Sequence, residues 1–473
     1  MLKTLIEKEI RDIVGSAKFA VIFGACAILI LTSFYVGART YQANRSQYEA
    51  AKAENLRQFE GMTDWFNVQQ HRIFLPPQPL ASLVNGISND IGRTTEVWGR
   101  GELSAQDSKF GDEPIYAVFR FLDLEFMFQV VLSLFAVLLG YDAISGEKER
   151  GTLKLSFANA VPRDKYILGK IIGSLAALTI PLIAALGIGC LLLPILGVPL
   201  SGDDWTRLAL IILTGILYFA AFLTLSIFVS ARTVRSSSSF LVLLVVWILC
   251  VLIVPRASVL LAGRAVDVPS VDELAAQKAK FQQQQWQEDR ASWANFKPSN
   301  KEDPAAMMDE LNRYMEEQAD IRDKKMQELT SRLNEQRLNK QMEQQDLAFN
   351  FARISPAATL SLGVTSLAGT SISLKDHYGD EAKAYQSSYA NFMKEKTGTN
   401  PGGRMFMFRT KIEDGEEVKP EPINPQELPQ FEYHQPDLAQ SISSAALDMG
   451  LLAFFNLLFF AGAFVSFLRY DVR

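Results

Sequence analysis

Leu208 to Pro255 reads LALIILTGILYFAAFLTLSIFVSA, then Arg232-Thr233-Val234-Arg235, then SSSSFLVLLVVWILCVLIVP. Each apolar part reaches the roughly 20 residues an α-helix needs to cross a hydrocarbon core of about 30 Å. Neither contains Asp, Glu, Lys or Arg. One such residue at a helix centre costs about 2.5–3.5 kcal/mol on insertion, so two charge-free runs joined by a basic tetrapeptide mark a pair of membrane spans with a cytoplasmic turn.

Four further runs extend the pattern: Phe19 to Ala38, Phe126 to Tyr141, Ile171 to Gly202 and Met449 to Leu468. The first follows Lys3, Lys8, Arg11 and Lys18, yet it is bulky throughout and has no small-residue cleavage site. It is a retained span rather than a signal peptide, and Cys26 stands too early in it for a lipid-attachment site. Phe126 to Tyr141 is short, about 24 Å of rise, which puts Asp123 and Glu125 at the interface or on a wet protein surface. Ile171 to Gly202 is long, and Pro181, Pro194 and Pro199 predict that its span ends near the middle or later.

The chain is expected to be an all-α membrane protein of six transmembrane helices with a large, mainly helical extracytoplasmic domain. Its parts are 1–18, a cytoplasmic interfacial helix; 19–38, span 1; 39–122, outer segment 1; 123–141, span 2; 142–166, a cytoplasmic coupling loop; 167–196, span 3; 205–231, span 4; 236–260, span 5; 261–445, outer segment 2; 446–468, span 6; and 469–473, a cytoplasmic tail. Lys148, Arg150, Lys154, Arg163, Lys165, Arg232, Arg235, Arg469 and Arg473 fall in the short connections or the tail assigned to the cytoplasm. By the positive-inside rule both termini are then cytoplasmic and the localisation is the inner membrane.

In the second outer segment, Val271 to Asn295 and Ala305 to Phe351 are rich in Gln, Glu, Lys, Ala, Leu and Met, with Lys297, Pro298, Ser299, Asn300 and Pro304 between them. That composition predicts a helical hairpin. Met308, Leu311, Met315, Met326, Leu329 and Leu333 supply one apolar stripe, interrupted by Gln318 and Arg322. A self-packed hairpin and a docking surface for a second protein are both compatible with it. Gly379 to Tyr433, with Lys419, Pro420, Glu421, Pro422 and Pro425, reads as a loop-rich linker.

A net charge of −5 supplies no basic field, which excludes a nucleic-acid partner. Cys26, Cys190 and Cys250 all lie in apolar runs, and His71, His377 and His434 have no ligand spacing, so neither a disulfide framework nor a metal site is expected. Leu168-Gly169-Lys170-Ile171 lacks the upstream glycine and the Ser/Thr of a phosphate loop. No Gly-x-Ser-x-Gly elbow or His-Glu-x-x-His pair is present. The chain is read as no enzyme and as having no cofactor of its own, its energy coming from a partner.

Asp142-Ala143-Ile144-Ser145-Gly146-Glu147-Lys148-Glu149-Arg150-Gly151-Thr152-Leu153 follows span 2, and Leu153, Leu155 and Phe157 make a short amphipathic piece. Taken alone this is a solvated connector. Its order of residues resembles the cytoplasmic loop of type-two, exporter-class ABC transporter permeases, which meets the ATPase subunit. Pro79-Leu80-Ala81-Ser82-Leu83 with Gly86, Ile91 and Gly92-Arg93, Phe119-Arg120-Phe121, Ser355-Pro356-Ala357 and Leu367-Ala368-Gly369-Thr370 are similar to the branch that includes gliding-motility and nitrous-oxide-reductase-maturation permeases. The likeness gives no guidance from about Gln277 to Gln345.

The resemblance implies a permease without catalytic residues, paired with a second permease of the same or a related chain. Two ATPase subunits would hold the ATP and magnesium. It implies ATPase contact through Asp142, Glu147, Lys148, Glu149, Arg150, Gly151 and Thr152. Leu2, Leu5, Ile6, Ile10 and Ile13 share a face of an N-terminal helix that would lie on membrane lipid and act as a lever. Few polar groups interrupt the spans, which leans toward an exported or extracted amphiphile, peptide or lipid-linked cargo. The alternative is a mechanical or scaffolding protein whose outer domain works on a periplasmic protein without transport; a sensor is weaker, having no cytoplasmic output domain.

The topology is testable by one cysteine. Ser299→Cys in a background lacking Cys26, Cys190 and Cys250 is expected to react with an impermeant maleimide in intact spheroplasts. Labelling only after lysis would overturn the six-span reading.

Overall fold

The computed structural model describes residues 1–68, 70–88, 90–98, 103–106, 123–158, 161–294, 304–397, 412–413, 416–417 and 422–470. Ser299, Phe119-Arg120-Phe121, and Lys419, Pro420 and Glu421 lie outside them. The chain divides into two units, Met1–Pro255 with Ala352–Arg473, and Arg256–Phe351.

The first unit opens with α1 (Leu2–Val14) and α2 (Ala17–Arg57). The helix of span 1 does not stop at Ala38; Ser16 caps its start, and it continues unbroken to Arg57. Span 2 is α3 (Leu124–Phe126), a π-helical turn (Met127–Leu132) and α4 (Ser133–Gly140), followed by the short helices α5 (Ser145–Arg150) and α6 (Thr152–Ala158). Next come α7 (Arg163–Ile195) and α8 (Gly202–Arg232). The helix of span 3 passes through Pro181 and ends after Pro194, where Gly197 takes φ +76°. Then α9 (Ser236–Trp247) and a second π-helical turn (Ile248–Ile253) follow, and α10 (Val254–Ala265) begins at the end of this unit and belongs to the second from Arg256 on.

Among the described residues, seven helical stretches are long and apolar enough to cross a membrane. Six coincide with the spans read from the sequence. The seventh, Pro356–Thr397, is two helices, α13 (Pro356–Ala368) and α14 (Ser373–Thr397), separated at Gly369 in a left-handed conformation (φ +71°). All but one of the α13 residues are buried, enclosed by α8 and by α15 (Leu438–Leu468). α14 corrects the reading of Gly379 to Tyr433 as linker over its first part, Gly379 to Thr397. Tyr378, Ala382, Tyr385, Tyr389 and Met393 recur every three or four residues and are buried, a helical stripe that the surrounding charge obscured.

Small residues set the helix spacing in the bundle. A Cβ on Gly215 of α8 would stand 2.4 Å from the Phe128 ring, and one on Gly189 of α7 would stand 2.4 Å from Phe34. The π-turns free backbone carbonyls that apolar surroundings cannot satisfy. Tyr218 donates to the Gln129 carbonyl at 2.8 Å, Ser133 donates to the same oxygen, and Ser355 donates to the Cys250 carbonyl. Trp247 Nε1 donates to Ser133 Oγ at 2.8 Å, tying the two turns together.

Beyond the spans, β1 (Gln70–Phe74), β2 (Thr94–Trp98) and β3 (Ser104–Gln106) form an antiparallel sheet in that order, Gln70 opposite Trp98 and Phe74 opposite Thr94. Ile412–Glu413 and Glu416–Glu417 make a second, two-stranded ladder, β4 and β5. β1 is an edge of the three-stranded sheet, and α2 closes it: the Asn55 side-chain amide donates to the Arg72 carbonyl at 2.9 Å and accepts from the Arg72 N–H at 3.4 Å. Phe59, Val68, Ile73, Val97, Tyr385, Tyr389, Met393 and Leu428 form the core beneath.

The second unit holds α11 (Val271–Ala294) and α12 (Pro304–Ala352), close to the predicted hairpin limits. The Arg322 guanidinium lies 5.0 Å from the Trp286 ring and Lys325 reaches Glu288 at 4.0 Å. Leu333 is buried and Met326 and Leu329 are half-buried; the side chains of Met308, Leu311 and Met315 lie outside the description.

His71, against Phe59, Tyr385 and Tyr389, is held neutral by burial, its pKa lowered from 6.5 to about 4. The folded value lies below the unfolded one, so this contribution is whole above pH 6.5 and is lost as pH falls toward 4. The full shift is worth about 3 kcal/mol. Amide exchange protection in β1 and α14, corrected for intrinsic rate, is expected to fall on the order of a hundredfold from pH 7 to 4.5, and His71→Phe should flatten the dependence. Constant wild-type protection would contradict it.

Candidate functional site

The charged segment after α4 is a helical elbow. α5 ends at Gly151, whose left-handed φ of +73° lets its N–H bond the Lys148 carbonyl before α6 begins. The N-terminal amides of α5 are satisfied from α8, where Ser230 Oγ accepts from Ile144 N at 3.0 Å and Ser145 N at 2.9 Å.

Three successive side chains then tie the elbow to three different helices, two of them at their ends. Lys148 Nζ donates to the carbonyls of Ala231 at 2.5 Å and Thr233 at 2.9 Å, where α8 finishes, and lies 4.2 Å from the Tyr470 ring centre. Glu149 accepts from Ser236 N at 3.1 Å and Ser236 Oγ at 2.8 Å, where α9 starts. Cation at a C-terminus and anion at an N-terminus is the favourable arrangement for both helix dipoles. Glu147 turns inward instead, to Lys170 of α7 at 2.6 Å and to the hydroxyl of Tyr166.

Lys170 is the centre of this arrangement. Its side chain is 9% exposed and bridges Glu147 to Glu9 of α1, 3.0 Å away. Ser174 donates to Glu9 at 3.3 Å. Burial pushes the Glu9 carboxyl up, against the opposing pull of the Lys170 ammonium. α1 approaches closely because glycines stand just before the lysine, at 169, and three residues after it, at 173: a Cβ on the first would stand 2.8 Å from Leu5 Cβ, and one on the second 2.7 Å from Glu9 Cβ. The apolar face predicted for α1 is used, with Leu2, Leu5, Ile6, Ile10 and Ile13 half-buried, but a carboxylate sits at its centre and α7 is its principal neighbour.

Of the seven residues proposed for partner contact, Asp142 pairs with Lys18 at 3.3 Å, and Glu147, Lys148 and Glu149 hold the elbow to the bundle. Arg150 and Thr152 are exposed and Gly151 is half-buried. Sequence reading grouped Leu153, Leu155 and Phe157 as one apolar piece. In α6 they separate: Leu153 is buried, Phe157 is half-buried, and Leu155 is 65% exposed beside exposed Lys154. Helical periodicity applied to Thr152–Ala158 is the clue that would have set Leu155 apart. Besides Glu149, which is exposed while it caps α9, the outward surface of the elbow carries Arg150, Thr152, Lys154 and Leu155. Among the described residues no cluster of His, Cys, Asp or Glu could hold a metal ion.

The elbow and its anchors lie within residues 3–472, which match the model of a family described as ABC-2 family transporter protein. Over 127 residues, 26% of its length, the chain is 35% identical to a Stutzerimonas stutzeri protein described as "Probable ABC transporter permease protein NosY". The match covers 45% of that relative, less than half its length.

Removing the central cation would leave Glu9 and Glu147 facing one another. Lys170→Met is expected to destabilise the purified protein by about 3–5 kcal/mol, the usual cost of breaking a buried ion pair from one side. Adding Glu9→Gln should recover part of the melting temperature lost. An unshifted melting temperature in Lys170→Met would contradict the arrangement.

Proposed function

The chain belongs to the ABC-2 family of transporter proteins, and we propose that it is a multi-pass permease working with a separate ATPase subunit and a second permease in a cytoplasmic inner membrane, both its termini cytoplasmic. The elbow carries this reading. It spends its own charges on α2, α7, α8 and α9, which makes it a pad on which force from below is passed to several helices at once. Arg150, Thr152, Lys154 and Leu155 are the surface left for the ATPase, a hydrophobic side chain ringed by cations and a hydroxyl. The cargo fitting a bundle so poor in polar groups is an amphiphile, peptide or lipid-linked molecule moved outward.

Mechanical work on a periplasmic protein is a second reading, favoured by one observation. α2 runs without a break from span 1 to Arg57, so any tilt of the span is delivered to the outer sheet that Asn55 holds.

The purified chain is expected to hydrolyse no ATP. Arg150→Glu with Leu155→Asp should abolish co-purification of the ATPase subunit while leaving the permease's melting temperature within a few degrees of wild type. ATP turnover by the chain alone, or undiminished co-purification of the double variant, would overturn the proposal.

A further inference from the structure

On the outer side of the first unit, α2, β1 and the segment Pro425–Phe431 enclose a cavity of about 60 Å³. By the space a single water needs, this is room for roughly four waters, or for one small head group. Tyr48, Lys52 and Asn55 come from one face of α2 at spacings of four and three, while His71 and Arg72 come from β1. Among the described residues no Asp or Glu lines the cavity.

The charges in the wall are unequally committed. Arg72 is paired with Glu96 across the sheet at 3.1 Å. Lys52 is half-buried and forms no ion pair among the described residues. The other polar groups are neutral: Asn55 is fixed by the Arg72 backbone and stands 3.2 Å from His71 Nδ1, and Gln426 and Gln430 carry amides. One uncommitted cation among neutral hydrogen-bonding groups matches a single negative charge. A phosphate, at about −1.5 to −2 and with three acceptor oxygens, would exceed it. Leu56, Phe74 and Phe431 complete the wall with apolar surface, which suits an apolar body behind the charge.

We infer that this cavity is a binding site for the head of an organic carboxylate borne on an apolar or aromatic body, its anion inside on Lys52 and its body extending out past the half-buried Phe74 and Phe431. The ligand would rest directly on the outer extension of span 1. A free small acid and a peptide C-terminus share this chemistry.

The test is isothermal titration calorimetry on the full chain in nanodiscs, with 4-phenylbutyrate against 4-phenylbutanamide, and acetyl-Leu-Phe against its C-terminal amide. At least one acid is expected to bind about tenfold or more tightly than its amide, and which acid does so identifies the source. Lys52→Met should weaken the acid about tenfold and leave the amide unchanged, whereas Lys52→Arg should stay within about threefold of wild type. Acid and amide binding alike, neither acid binding at millimolar concentration, or a folded Lys52→Met that binds as wild type would overturn the inference. Should Lys52→Met fail to fold, the wild-type contrast between acid and amide decides.

Discussion

A single ammonium group held between two carboxylates organises one end of the helix bundle. Lys170, Glu147 and Glu9 come from three elements, α7, α5 and α1, and burying them without one another would cost several kcal/mol per charge. Once they are paired, the cost becomes a constraint: none of the three elements can move away without exposing or stranding a charge. Glycines at 169 and 173 make the pairing possible by letting a helix backbone come within reach, so the charges and the small residues act as one device. Lys148 and Glu149 extend it by closing the neighbouring helix ends. The elbow is rigid because its polar groups are nearly all used inside the chain.

That economy explains why the spans were legible in the sequence and the role of the elbow's residues was less so. Apolar runs such as Leu208 to Ala231 declare themselves, since a charge at their centre is penalised whatever the fold. The hairpin α11–α12 was equally plain, because helix-forming side chains and the Pro304 start are local facts. Glu147 and Arg150, by contrast, look alike in a charged connector, and only long-range packing turns one to Lys170 and leaves the other exposed. Leu155 was hidden for a simpler reason. Alternate apolar positions look like one face until the segment is known to be helical. The Tyr378–Met393 stripe of α14 was missed because charged residues between the tyrosines dilute a hydrophobic signal that has the right period.

Inside the bundle the governing limit is the backbone's own polarity. A π-turn leaves a carbonyl that lipid cannot satisfy, and both such turns here have hydroxyl donors supplied by neighbours: Tyr218 and Ser133 for one, Ser355 for the other. Ser355 also caps the start of α13, accepting from Ala357 N at 3.1 Å. One side chain thus serves a span and an enclosed helix together. Arg353, two residues earlier, reaches Asp448 of α15 at 2.7 Å, so this short approach to α13 joins three parts of the bundle.

Asn55 fills the edge of the three-stranded sheet with a group that is donor on one side and acceptor on the other. Only an amide meets both demands at that distance. Deamidation, which trades the NH₂ for an oxygen and adds a negative charge, would set that oxygen against the Arg72 carbonyl and turn an attraction into a repulsion. The sheet's protection from pairing with a stray strand therefore rests on two atoms of one side chain, and any change that removes the amide uncovers that edge.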